Sequence, residues 1–482
     1  LNIVWLKRDL RIKDQLALLE ASKEEFIVLY IFEPSVSYHY DFDIRHWMFV
    51  YQSLKELESH NIKVHRLYGE ALDIFSHLKN LYNTIRVFSH RETGNGLTFE
   101  RDLSLKRFFK QESIPWKEFS PYGVARGLEQ RGSWDHYWIS YVKEPVKVIH
   151  CLDLNSFNEN LQVDYRLPIE IQDQLQVNDP NMLIGGESMA WSLLENFIEK
   201  KVESYWGSIS YPEKSRYYCS LLSAHISWGN ISIRQIYQTC FEQRSSVRNK
   251  ISIEQYMARL KWHCHFIQQL ESQPDLEFFN VNSAYDGIRK KKNKNYIRAW
   301  KEGQTGYPLI DAAMRCVRVT GYLNFRLRAT VVSFLTHTLW QPWQSGAGYL
   351  ARQFLDYEPG IHFSQFQMQA GTTGVNTLRI YNPVKQSKEK DKDAIFIKKW
   401  VPELRDLPVK FIHEPWLLSP MDQILYNFKL GINYPKPIVD FEQTHRFARD
   451  QLWGIKNSKE SKHLSIKVLK RHARKKNTKS RR

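Results

Sequence analysis

Several stretches of the chain concentrate side chains that could hold a charged or flat ligand. After the first apolar run comes Lys7-Arg8-Asp9-Leu10-Arg11-Ile12-Lys13-Asp14, a dense alternation of cations and carboxylates. On sequence alone this is either a ligand-facing loop at the carboxyl edge of a sheet or a solvated loop of internal ion pairs, and the second is the default expectation. Further on, Ser220 and Ser223 lie within Tyr218-Cys219-Ser220-Leu221-Leu222-Ser223. Hydroxyls at a helix start donate to a phosphate group or simply cap the helix. The chain has 15 Trp, whose rings suit burial or stacking on planar ligands.

These residues need a scaffold to hold them. Asn2–Leu6, Phe26–Phe32, Lys63–Leu67, Thr84–His90 and Trp116–Phe119 are short β-rich runs, with helical patterns such as His46–His60 and Thr98–Gln111 between them. Strands alternating with helices predict a parallel sheet in an α/β domain spanning residues 1–122. No GxGxxG follows the first strand, so a nicotinamide dinucleotide is not expected there. Residues 123–190 read as a long connector, ordered in part by Trp134, Tyr137, Trp138 and Tyr141. Residues 191–455 are mostly helical in pattern, as in Trp191–Lys201, Ile251–Gln269, Tyr307–Val319 and Arg326–Trp340. Residues 456–482 are rich in Lys and Arg and poor in apolar groups, which predicts a disordered basic tail.

Lys and Arg number 69 against 52 Asp and Glu, a net charge of +17 that favours a polyanion such as nucleic acid. The five cysteines are widely spaced with no CxxC, which speaks against a disulfide framework and against a metal site. The opening residues read as a first strand and not as a signal peptide, and no apolar run is long enough to span a membrane. A cytoplasmic monomer is expected.

Trp300-Lys301-Glu302-Gly303-Gln304-Thr305-Gly306-Tyr307-Pro308-Leu309-Ile310-Asp311-Ala312-Ala313-Met314-Arg315, followed by Gly321–Arg328, Asp356-Tyr357-Glu358 and Arg379–Pro383, resembles the photolyase/cryptochrome superfamily. So does the opening Arg8-Asp9-Leu10-Arg11 segment, and the resemblance covers all but the tail. It implies an α/β domain joined to an all-helical FAD-binding domain. Tyr205, Cys219, Ser220, Leu221, Leu222, Ser223 and Arg259 would then line the cofactor site, although Cys219 and Leu221 depart from the usual Thr and Arg. Arg328 and Asp356 would pair beside the flavin ring, Glu358 would accept from its N3–H, and His362 would face N5, where its titration near neutral pH could tune the reduced flavin. A second, light-harvesting chromophore on the first domain is left open. The cysteine spacing is unlike that of the iron–sulfur members.

The resemblance also assigns roles in electron flow and DNA contact. Trp343 matches the middle of three relay tryptophans; Phe366 stands where the flavin-proximal one is expected, and no Trp lies near Lys290 for the outer one. Trp343 is therefore isolated or coupled to Trp340. Trp262 matches the ring that stacks on a flipped pyrimidine dimer, and His263, Arg326, Arg379 and Gln386 fall at DNA-contact positions. Arg259, His263, Phe325 and Met368 replace the usual Glu, Arg, Asn and Trp of the lesion pocket. The implied function is FAD-dependent, light-driven repair of ultraviolet-damaged DNA. The alternatives are a blue-light photoreceptor without repair and a non-enzymatic nucleic-acid-binding flavoprotein.

Overall fold

The computed structural model describes residues 1–128, 131–149, 161 and 163–472. Strands β1 (Asn2–Leu6), β2 (Phe26–Phe32), β3 (Val64–Tyr68), β4 (Arg86–His90) and β5 (Trp116–Phe119) form one parallel sheet in the order β3-β2-β1-β4-β5. The register pairs Asn2 with both Phe26 and Arg86. Both faces are buried, as a sheet covered on two sides requires. Val4, Val28 and Phe32 pack with Trp47, Val50 and Leu54 of helix α1 (Ile44–Ser59). Ile3, Trp5, Ile27 and Leu29 pack with Phe75 of α2 (Ala71–Leu81) and with Leu105 and Phe109 of α3 (Gly96–Gln111).

The connector is more ordered than its sequence suggests. Helix α4 (Trp134–Lys143) buries Trp134, Trp138 and Tyr141 in the core of the helical domain. Cys151 lies outside the described residues.

The helical domain contains α5 (Val202–Ser208), α6 (Ser223–Ser227), α7 (Lys250–Ser272), α8 (Pro308–Thr320), α9 (Phe325–Ser333), α10 (Gln344–Gln353), α11 (Pro359–Ala370), α12 (Phe441–Asn457) and α13 (Lys459–His472). Local chemistry sets the ends. Asn249 and Asn324 cap α7 and α9 through their side chains, and Pro308 and Pro359 begin α8 and α11. The expected helix Arg326–Trp340 instead stops at Ser333 and passes into a wider turn over Phe334–Thr338, after which Trp340 adopts φ +52°. Gly360 lets α11 approach α7: a Cβ there would lie 2.6 Å from the Cα of Ile267.

The charged loop after β1 is not solvated. Asp9, Arg11 and Asp14 are buried, and the loop docks one domain on the other. Leu10 N–H donates to the Trp228 carbonyl (3.3 Å), Asn230 Nδ2 to the Leu10 carbonyl (2.9 Å) and Arg11 to the Gly229 carbonyl (3.0 Å). Arg234 pairs with Asp14 at 2.8 Å. Gly229 has φ +74°, and a Cβ there would meet the Arg8 carbonyl oxygen at 2.2 Å. The ion pairs expected within the loop are largely exchanged for contacts across the domain boundary, because buried cations and carbonyls must find partners.

The expected disordered tail is corrected in its first part. Residues Lys459–His472 form α13, which buries Ser461, Val468 and His472, while Asn282 Nδ2 donates to the Ser461 carbonyl (3.2 Å) and to Ser465 Oγ (3.1 Å). Composition misled here: a few apolar residues on one face suffice when a preformed domain supplies the other half of the contact. Residues 473–482 lie outside those described.

Candidate flavin and DNA site

A cavity of about 340 Å³ opens between α5, the turn before α6, and helices α7, α9 and α11. The turn is built from the expected segment: Cys219, Ser220, Leu221, Leu222 and Ser223 all line it. Ser220 Oγ accepts from Tyr256 Oη at 3.1 Å. Leu221 holds φ +58°, a left-handed conformation that costs a non-glycine residue about 1–3 kcal/mol. Cys219 is a neutral thiol, since burial pushes its pKa up to about 12. Tyr205 and Arg259 complete this end, Tyr205 standing edge-on to Phe197 and Tyr256.

The opposite end carries the ion pair. Arg328 Nη2 donates to both oxygens of Asp356, at 3.0 and 2.7 Å, and its Nε to the Leu323 carbonyl at 2.8 Å. Its guanidinium lies 4.0 Å from the ring centroid of Phe354, a wall residue the motif reading had not singled out although it stands two positions before Asp356. His362 and Phe366 of α11 form the floor, with ring centroids 4.8 Å apart. His362 shares a hydrogen bond with the Ala347 carbonyl through Nε2 (2.9 Å), and burial lowers its pKa to about 4. It is therefore neutral near pH 7 and does not titrate there, contrary to the sequence expectation.

Residues 2–122 match the model of the DNA photolyase family, and residues 256–454 that of the FAD-binding domain of DNA photolyase. The chain belongs to the photolyase/cryptochrome superfamily. It is 26% identical over 471 residues to the deoxyribodipyrimidine photo-lyase of Alkalihalophilus pseudofirmus, covering 93% of this chain and 97% of that protein. In fold it is similar to a class III photolyase of Agrobacterium tumefaciens (TM-score 0.83, 24% identity, covering 95% of this chain and 98% of the other). A cryptochrome of Synechocystis sp. PCC6803 is equally similar (TM-score 0.83, 23% identity, 93% and 98%).

Within this superfamily member, two of the flavin and DNA assignments change. Glu358 does not line the cavity: its Oε2 lies 3.3 Å from Arg8 Nη1 at the domain boundary, and the carboxyl is buried. Burial raises its pKa to about 7 against the opposing pull of Arg8. Its neighbour Tyr357, which sequence reasoning passed over, donates to Asp41 Oδ2 at 2.6 Å and packs against His362. His263, expected at a DNA-contact position, turns inward. It lines the cavity, both ring nitrogens are buried without partners, and burial lowers its pKa to about 3. One helical turn does not separate it from Trp262; the adjacent position on α7 simply turns inward.

Trp262 stands at the rim, 48% exposed, stacked on Phe266 with centroids 5.7 Å apart. It lines both the main cavity and a second one of about 340 Å³, whose outer wall is Val468, Leu469 and His472 of α13. Met368 lies in this second cavity, and Phe325 in the first. Arg326 and Arg379 share a surface groove, whereas Gln386 sits half-buried on the helix Pro383–Lys390 with Oε1 unpartnered. Trp340 and Trp343 take different neighbours. Trp340 packs on Phe447 and under Arg289, while Trp343 donates to Asn280 Oδ1 (2.9 Å) and meets Phe363 at 6.4 Å. Phe363 in turn contacts His362 at 5.3 Å. Among the described residues no cluster of metal-ligating side chains occurs, and no helix is long and apolar enough to cross a membrane.

Proposed function

We propose that this protein is a DNA photolyase that uses FAD and blue light to split ultraviolet-induced pyrimidine dimers. The observation that carries the reading is one cavity with a hydroxyl-bearing turn at one end, the Arg328–Asp356 pair at the other and an exposed Trp262 at its mouth. These residues fit FAD. Ser220 and Ser223 supply donors for a diphosphate, apolar and aromatic walls suit the ring system, and His263 presents buried nitrogens that lack a protein partner. Bound FAD would supply light absorption and electron transfer to the dimer.

The chain's own residues do the rest. Phe354 and Phe366 help exclude water, and Asp356 holds the Arg328 guanidinium beside the ring site. Trp262 offers a face to a base that has left the duplex, and Arg326, Arg379 and Gln386 hold the backbone. Leu222 backs the turn from the core. Trp343 reaches the cavity floor through Phe363 and His362, which makes it the nearer of the two candidate relays; Trp340 faces α12.

Arg259, Phe325 and Met368 on the lesion side favour a second reading, a photoreceptor that keeps the flavin and has lost repair. The cavity of about 100 Å³ at the carboxyl ends of β1 and β2 is a candidate place for a second chromophore, and there Arg101 is already held by Glu33 (2.5 Å) and Glu92 (2.6 Å). We read the protein as a cytoplasmic monomer. Titrating lesion-containing and undamaged oligonucleotides in the dark and under blue light separates the readings: repair predicts a preference for damaged DNA that light abolishes, and equal affinities unaffected by light would contradict it.

A further inference from the structure

Helix α12, the segment Leu378–Tyr381 and Arg326 of α9 enclose a groove of about 590 Å³. Arg326, Arg379, Tyr381, His445, Arg449 and Trp453 line it, and among the described residues no carboxylate does. Arg326 donates to Tyr381 Oη at 3.1 Å, and its Nε is buried with no partner. Arg379 is exposed. Arg449 pairs with its neighbour Asp450, and both are exposed, so that pair does little to cancel the charge. Trp453 is 45% exposed. Helix α9 contributes to both spaces: Phe325 lines the cavity and the next residue, Arg326, lines the groove.

Uncancelled guanidinium groups beside an exposed indole are what a single strand needs, with cations for its phosphates and a flat face for an unstacked base. A duplex keeps its bases stacked and offers nothing to Trp453. We propose that this groove binds an unpaired stretch of DNA next to the extruded dimer, with phosphates on Arg326, Arg379 and Arg449 and a base on Trp453. The inference rests on the DNA reading above and gives α12 a part in binding that its sequence did not signal. The neighbouring cavity would take the lesion while this groove holds the strand that local unpairing releases.

The test measures fluorescence anisotropy of a labelled single strand of about ten nucleotides, within the site size of such grooves, and of an undamaged duplex of the same length. Wild type, Trp453→Ala, Trp453→Phe and Arg449→Ala are compared at several salt concentrations, with flavin absorbance as the check on folding. Trp453→Ala should weaken single-strand binding about 5- to 150-fold, Trp453→Phe should restore most of it, and neither should alter duplex binding. Arg449→Ala should reduce the slope of log K against log salt for the single strand by about 0.7. Wild-type single-strand affinity in both Trp453→Ala and Arg449→Ala, or equal losses on single strand and duplex, would overturn the groove while leaving the lesion site standing. A wild-type protein that binds neither DNA would overturn both readings.

Discussion

Glu358→Gln tests how the domain boundary is built. Glu358 is 2% exposed and its Oε2 meets Arg8 at 3.3 Å. Its pKa rises from an ordinary 4.5 to about 7, burial being the main cause. At about 1.4 kcal/mol per pH unit, ionising it in the folded protein costs about 3 kcal/mol relative to the unfolded chain. The sign follows from the proton count. Between pH 4.5 and 7 the folded state holds the proton more tightly, so the contribution of Glu358 is fully present at low pH and is lost as pH rises through about 7. Glutamine mimics the protonated form. The variant should match wild type near pH 4.5 and become more stable by up to about 3 kcal/mol above pH 8. Urea unfolding at a series of pH values, with FAD held at the same excess, measures the difference. Parallel stability curves for the two proteins across that range would show that the carboxyl is not held protonated at the boundary, and the reasoning would fail.

Three further outcomes follow from the site. Arg328→Ala leaves the mostly buried Asp356 carboxylate without its cation, which should cost about 3–5 kcal/mol and lower flavin occupancy, read as flavin absorbance per protein; full occupancy would remove the pair from the cofactor site. Trp343→Phe should suppress photoreduction of the bound flavin, followed by absorbance under blue light, whereas Trp340→Phe should leave it unchanged because Trp340 faces Phe447. Trp262→Ala removes a stacking face worth about 1–3 kcal/mol and should abolish any preference for dimer-containing over undamaged oligonucleotides in a competition titration.

The parallel sheet was legible because its strands are short, apolar and bounded by turn residues, and Asn2–Leu6, Phe26–Phe32 and Trp116–Phe119 are found at the expected positions. The turn at Cys219–Ser223 and the Arg328–Asp356 pair were legible through the resemblance to the family, and the structure brings all of them to one cavity. What motif matching could not convey is which way a matched residue points. His263 and Trp262 are adjacent, yet one faces the cavity interior and the other the rim. Glu358 keeps the acidic character of its position, but its longer side chain reaches Arg8 of the other domain. Likewise, composition predicted disorder for a cationic tail whose helix α13 finds its apolar partners on a surface far away in sequence.

The central claim is tested most directly by giving photoreduced, FAD-loaded protein an oligonucleotide with a single cyclobutane pyrimidine dimer and following dimer loss under blue light. The account predicts catalytic restoration of the undamaged strand in the light and none in the dark, with the rate lost in Trp262→Ala. Stable binding of flavin and DNA with no dimer loss under illumination would contradict the repair assignment and leave the photoreceptor reading in its place.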